Sequence, residues 1–106
     1  MATSSLDWTA MAVKAAAYIY GLHQWGDSQE IKIGDKTCQV QIKGRLHQLK
    51  WVWDGKCECD NIVGESRHCD SKEGAIKNAI QDYIVKAGQA GLLTHEQIQQ
   101  WENNDN

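Results

Sequence analysis

The chain contains no proline, and its nine glycines are scattered, so nothing in it reads as a linker. With no internal repeat either, residues 1–106 are expected to form one domain. It also lacks a long apolar run. The longest, Ala10 to Leu22, is interrupted by Lys14 and falls short of the roughly 20 residues a helix needs to cross a bilayer. Residues 1–7 carry no lysine or arginine ahead of that run, so the start does not read as a signal peptide and suggests a mature chain behind an added start. An excess of positive charge is missing as well. Eleven Lys plus Arg stand against fourteen Asp plus Glu, a net charge of −3, which argues against a dedicated nucleic-acid binder. The four histidines, His23, His47, His68 and His95, sit in different predicted elements. No nucleophile, base and orienting group can be traced around any of them, so the chain reads as non-catalytic and without a cofactor.

What is present is a change of hydrophobic period. From Leu6 to Trp25, the residues Met11, Ala15, Tyr18, Leu22 and Trp25 recur at steps of four and three, and Ser4 and Asp7 have capping-box spacing. This predicts a first helix. Because its other faces carry mostly alanine with Val13, Ile19 and Tyr20, it should be deeply packed, with Met11 serving as packing. Between Gln29 and Cys59 the period becomes two. Ile31 and Ile33, then Cys38, Val40 and Ile42, then Leu49, Trp51 and Trp53 alternate with polar residues, and Gly34-Asp35 punctuates the first pair. Ile62 and Val63 allow a short fourth strand within 61–68. Ala75/Ile76, Ala79/Ile80, Tyr83/Ile84 and Ala87 then form a helical stripe, opened by Asp70 and Glu73 at capping-box spacing and closed near Gly88 or Gly91. Thr94 and Gln97 open a third helix carrying Trp101, with Leu93 and Ile98 as a hydrophobic staple. The expected fold is α+β, with three helices packed on one face of a four-stranded antiparallel sheet.

Four cysteines in a small chain without a redox motif read as two disulfides, and therefore as a secreted, extracellular protein. Three connectivities are open. If Cys38 and Cys59 bridge a hairpin, its tip falls at Gln48-Leu49. Val40, Ile42, Leu46, Leu49, Trp51, Trp53 and Cys57 then share one face, and Lys43, Arg45, His47, Lys50 and Lys56 the other. A rival register, turning at Gly44-Arg45 and Asp54-Gly55, holds Cys38 and Cys59 two strands apart, about 10 Å, which is too far for a bond. The second bridge is then expected between Cys57 and Cys69. Cys57, Cys59, His68 and Cys69 could instead serve as zinc ligands, but their spacing is not that of a structural zinc site, and disulfides are preferred. From Lys36 to Lys56 five cations stand against Asp54 alone, so an acidic chain carries a basic ribbon able to hold phosphate or sulfate. An ordinary solvated strand face would look the same, and by pattern alone is the commoner case.

Several separate features resemble the arthropod anti-lipopolysaccharide factors. They are Leu6-Asp7-Trp8-Thr9, the spacing from Cys38 to Cys59, Gly55-Lys56, Gly74-Ala75-Ile76, and Gly91-Leu92-Leu93-Thr94 leading through Gln97 to Gln100-Trp101. The resemblance covers nearly the whole chain. It implies three helices against a four-stranded sheet, and a secreted antimicrobial protein that binds the lipid A part of lipopolysaccharide, or another anionic microbial surface component, through cations on a disulfide-bounded hairpin. Carried onto this sequence, the ligand-binding residues are Lys43, Arg45, Lys50 and Lys56, with His47 a fifth. Leu46, Leu49 and Val52 are the acyl contacts. Contact with a microbial membrane would be peripheral. The chain departs from the pattern in its anionic balance, in Asp54 standing opposite Lys43, and in the extra cysteines 57 and 69, and so resembles a divergent, anionic member. A second reading, from another class, is a small hydrophobic-ligand carrier or partner-binding module with an apolar pocket near Tyr18, Trp25, Trp51 and Trp53, although such clusters are more often plain core.

Overall fold

The computed structural model describes residues 4–34, 36–94 and 96–97. Helix α1 spans Ser4–Gly21, followed by strands β1 (Ser28–Ile33), β2 (Lys36–His47), β3 (Lys50–Cys59) and β4 (Ile62–Cys69) and by helix α2 (Lys72–Gln89). The strands form one antiparallel sheet in the order β1-β2-β3-β4. The fold is therefore α+β, as expected, but with two helices rather than three among the described residues. Of the third, the capping box forms: the Thr94 N–H donates to Gln97 Oε1 at 2.9 Å and the Gln97 N–H to Thr94 Oγ1 at 3.2 Å. Ile98 and Trp101 lie outside the described residues, as do the side chains of Ser4 and Asp7.

Helix α2 carries the sheet-facing stripe that its periodicity predicts. Ala75, Ile76, Ala79, Ile80, Tyr83, Ile84 and Ala87 are all buried. Its cap is Ser71, one residue after the expected Asp70, with Ser71 Oγ accepting from the Gly74 N–H at 3.0 Å. At its other end Gly91 takes φ +80°, so that Gly91 N–H bonds the Gly88 carbonyl and Leu92 N–H the Ala87 carbonyl, a Schellman closure that only glycine adopts without strain. Small residues let α2 approach the strands. An added Cβ on Gly64 of β4 would meet the Tyr83 Cα at 2.7 Å, and one on Gly55 of β3 would meet Ser66 Oγ at the same distance. Helix α2 also protects the edge of the sheet. Asp82 accepts from the Glu65 N–H at 2.9 Å, and Lys86 Nζ donates to the Val63 carbonyl at 3.0 Å.

Helix α1 departs from its predicted stripe. Its buried residues are Trp8, Ala12, Ala15, Ala16 and Ile19, whereas Val13 and Leu22 are exposed and Met11 and Tyr18 are only partly covered. One face packs, not most of the girth, because α1 meets chiefly α2 and the sheet is already covered by α2. The helix stops at Gly21, so Trp25 lies in the following loop. Its Nε1 donates to the Tyr20 carbonyl at 2.8 Å, and its ring stacks on Tyr20 with centroids 5.8 Å apart.

Cys38 and Cys59 are bridged, as a directly paired cross-strand couple. The second expected bridge is absent: Cys57 and Cys69 are free thiols. Cys57 pairs with Gly64, while Cys69 pairs with Trp53. The four residue steps from Trp53 to Cys57 along β3 place the two cysteines about 13 Å apart, at ~3.3 Å per residue, twice a disulfide's reach. The zinc set fails for a related reason. Cys59 is consumed by the bridge, and His68 stands on the opposite side of the sheet from Cys57. Burial pushes the Cys57 thiol up to about 12, so the reactive thiolate is suppressed near neutral pH. Native alkylation without reductant should therefore label Cys69, and Cys57 only after denaturation. Equal labelling of both thiols in the folded protein would show that the Cys57 site is open; intact mass and peptide mapping read the outcome.

Candidate lipid-binding hairpin

Strands β2 and β3 form one long hairpin in the register expected for the Cys38–Cys59 bond, from Cys38↔Cys59 to His47↔Lys50. Gln48 (φ 52°) and Leu49 (φ 67°) close it. Two positive φ values suit the right-handed twist of a two-residue hairpin turn. At the disulfide end the inward side chains Cys38, Val40, Ile42, Cys57 and Cys59 are buried. Towards the tip the same face is bare. Leu46 and Trp51, cross-strand partners, are 59% and 58% exposed, and Leu49 is 94% exposed. The hairpin overhangs the helices, leaving an apolar underside. Trp53, half-buried, lies over Gly44 across the strand. Of the aromatic residues weighed from sequence as a pocket, Tyr18, Trp25 and Trp53 are partly buried against the core, whereas Trp51 is exposed.

The opposite face carries the cations. Lys43 stands across from Asp54, as read from sequence, yet Asp54 is bonded to the diagonal residue. Arg45 Nε donates to Asp54 Oδ2 at 2.9 Å, and the His68 backbone N–H donates to Asp54 Oδ1 at 3.1 Å. The Arg45 bond first, and the His68 N–H second, hold the Asp54 carboxyl below the ordinary carboxylate range. This tie therefore persists in mildly acidic solution and is lost only as the pH falls through that lowered value. Lys50 pairs with Asp70 at 3.3 Å and Lys56 with Glu58 at 3.7 Å, all well exposed. Such pairs are worth at most about 1 kcal/mol and can yield to a phosphate. Lys43 and Arg67 have no ion-pair partner among the described residues.

Val52 does not fit the acyl role expected of it. Directly across from Arg45, it is only 5% exposed, because the long Arg45 side chain is drawn over that part of the face towards Asp54 and His68. Trp51, which the sequence reading assigned to the core, is the exposed apolar group instead. Sequence reasoning anticipated β4 as a short strand, but not the part its far end plays in the site. Between Trp53↔Cys69 and Gly55↔Ser66 the register slips, so Arg67 and His68 together oppose Asp54, and His68 adopts φ 57°. This bulge brings His68 to His47, ring centroids 4.6 Å apart. The same face holds an open cavity of about 630 Å³ crossing the four strands, lined by Gln41, Lys43, Asp54, Lys56, Glu65 and Arg67 among others. The only signal available for Arg67 and His68 was their charge on a segment too short to assign a face. His95, the fourth histidine considered, lies outside the described residues. Among those residues no helix is long and apolar enough to cross a membrane.

This arrangement has counterparts in known proteins. The chain is 29% identical over 97 residues to an anti-lipopolysaccharide factor of Limulus polyphemus, covering 89% of this chain and 92% of that one. It is 27% identical over 95 residues to an anti-lipopolysaccharide factor of Tachypleus tridentatus, covering 87% and 89%. In three dimensions it is similar to a shrimp antilipopolysaccharide factor, solved in solution and described with its possible lipid A binding site, at a TM-score of 0.77 and 25% identity over 92% of this chain and 94% of that one. The family profile described as anti-lipopolysaccharide factor/scygonadin matches residues 3–103. Because that match spans helices, sheet and the bridged hairpin alike, the chain belongs to the anti-lipopolysaccharide factor/scygonadin family.

Proposed function

We propose that this protein is a secreted, non-catalytic host-defence factor that binds lipopolysaccharide through lipid A, the hairpin docking peripherally on the microbial surface. Lys43, Arg45, His47, Lys50 and Lys56 contact phosphates by charge-assisted hydrogen bonds. Leu46, Leu49 and Trp51 enter the acyl layer. Membership of the family and the possible lipid A binding site described for the similar shrimp protein support the ligand class.

The observation that carries this reading is Leu49. A branched apolar residue is held at φ 67°, where asparagine or glycine is favoured, and is 94% exposed. Neither local conformation nor packing benefits from leucine there, whereas insertion into lipid does. Leu49→Asn is accordingly expected to keep or slightly raise thermal stability. It should weaken binding to lipid A vesicles by about 10- to 100-fold, the ~1.5–3 kcal/mol of a buried leucine. Lys43→Ala with Lys56→Ala should weaken binding by no more than about 1 kcal/mol per site and flatten its dependence on salt. If both variants bound as the wild type does, across a salt titration followed by vesicle co-sedimentation, the hairpin would not be the docking surface.

A further inference from the structure

At the end of the cationic face two ion pairs flank a pair of imidazoles. Arg45 is tied to Asp54, and Lys50 to Asp70. Between these pairs lie two imidazoles, His47 from β2 and His68 from the β4 bulge, set edge to face with centroids 4.6 Å apart. Arg45 Nη2 is 3.0 Å from His68 Nδ1. A guanidinium can only donate, so this Nδ1 accepts and the neutral ring carries its proton on Nε2. Arg67, also in the bulge, adds a further cation nearby.

We propose that His47, His68 and Arg45 form a proton-dependent subsite for the sulfate or phosphate group of an anionic ligand. Protonation of His68 at Nδ1 removes the acceptor used by one Arg45 Nη2 N–H and frees that donor, while Arg45 Nε, at 2.9 Å, and Nη2, at 3.5 Å, stay on Asp54. Asp54 remains ionised because its carboxyl lies below the ordinary range. Three donors, one from each imidazolium and one from the guanidinium, are then available to one anion. Without an anion the three positive groups oppose one another. An anion relieves that repulsion, so by linkage it favours protonation, and falling pH favours the anion. As the means by which a lipid headgroup is held, the subsite rests on the lipid-binding reading above; as an anion site it does not.

Two measurements separate these levels. In the first, imidazole titrations are followed by NMR in sodium sulfate and in sodium chloride of equal ionic strength. Sulfate should raise the His47 and His68 midpoints by about half a pH unit, a roughly threefold change in proton affinity. His23, which packs against Trp25 instead, should not respond. Unmoved His47 and His68 midpoints would overturn the subsite whether or not lipid binds. In the second, binding to vesicles of phosphatidylcholine with phosphatidylglycerol, whose charge is constant over this range, is compared at about pH 7.5 and about pH 5.5. Affinity should rise about three- to tenfold on acidification, as two added exposed contacts would give. His68→Asn, suited to the positive φ, and His47→Gln should each remove most of that rise. A rise retained in both variants would overturn the proposal. A sulfate response with no vesicle binding at either pH would uphold the anion subsite and reject the lipid reading.

Discussion

Gly64→Ala is expected to destabilise the protein by about 3 kcal/mol, near the upper end of overpacking costs, and to lower the thermal midpoint by about 15 °C. The reason is the identity of the atoms in the way. A Cβ at Gly64 would run into backbone atoms of Ala79 and Tyr83, and backbone cannot rotate aside as a flexible side chain can. Strand β4 and helix α2 would have to separate, at the expense of the packing of Ala79, Ile80 and Tyr83, all fully buried, and of the bonds from Asp82 and Lys86 that cover the sheet edge. Gly26→Ala is the control, since nothing lies within 4 Å of its would-be Cβ; it should change stability by no more than about 0.5 kcal/mol. Urea unfolding of the two variants reads the contrast. Equal stabilities would mean that the close approach of β4 to α2 is not what holds the layers together.

Replacing Cys38 and Cys59 together by alanine should cost about 3 kcal/mol, the loop-closure entropy returned to the unfolded chain by opening a 21-residue separation. The consequence for function should exceed the consequence for stability. The bridge sits at the base of the hairpin, and beyond it the helices cover progressively less, until Leu46, Leu49 and Trp51 project with no layer beneath. An unstapled ribbon pairs its tip less persistently, so Lys43, Lys50 and Lys56 lose their common face for part of the time. Hydrogen exchange should therefore quicken most in residues 43–53, and lipid A binding should fall even at temperatures where the variant remains folded. Wild-type exchange at the tip would show that backbone pairing alone sustains the overhang.

Residue alternation was enough to identify the sheet. Cys38, Val40 and Ile42 do face inward, Lys43 does stand across from Asp54, and the tip does fall at Gln48-Leu49, because side-chain direction along a strand is local and has period two. The stripe of α2 was legible for the same kind of reason, with period 3.6. The buried stripe of α1 was not. Where nearly every face carries alanine or a larger apolar residue, pattern cannot say which face meets a neighbour, and the contact with α2 selected Trp8, Ala12, Ala15, Ala16 and Ile19.

The primary sequence by itself determined which residues share a side of the ribbon and how a 38–59 bond would set its register. Tertiary structure alone decided how far along the ribbon the helices reach, and with it that Leu46 and Trp51 are bare while Cys57 is sealed. It also decided that Cys69, which pairs with Trp53, stands too far from Cys57 to bond, and that a bulge carries His68 to His47. The first set depends on torsions between neighbours in the chain. The second depends on where separate elements stop and overlap, and no local periodicity encodes that.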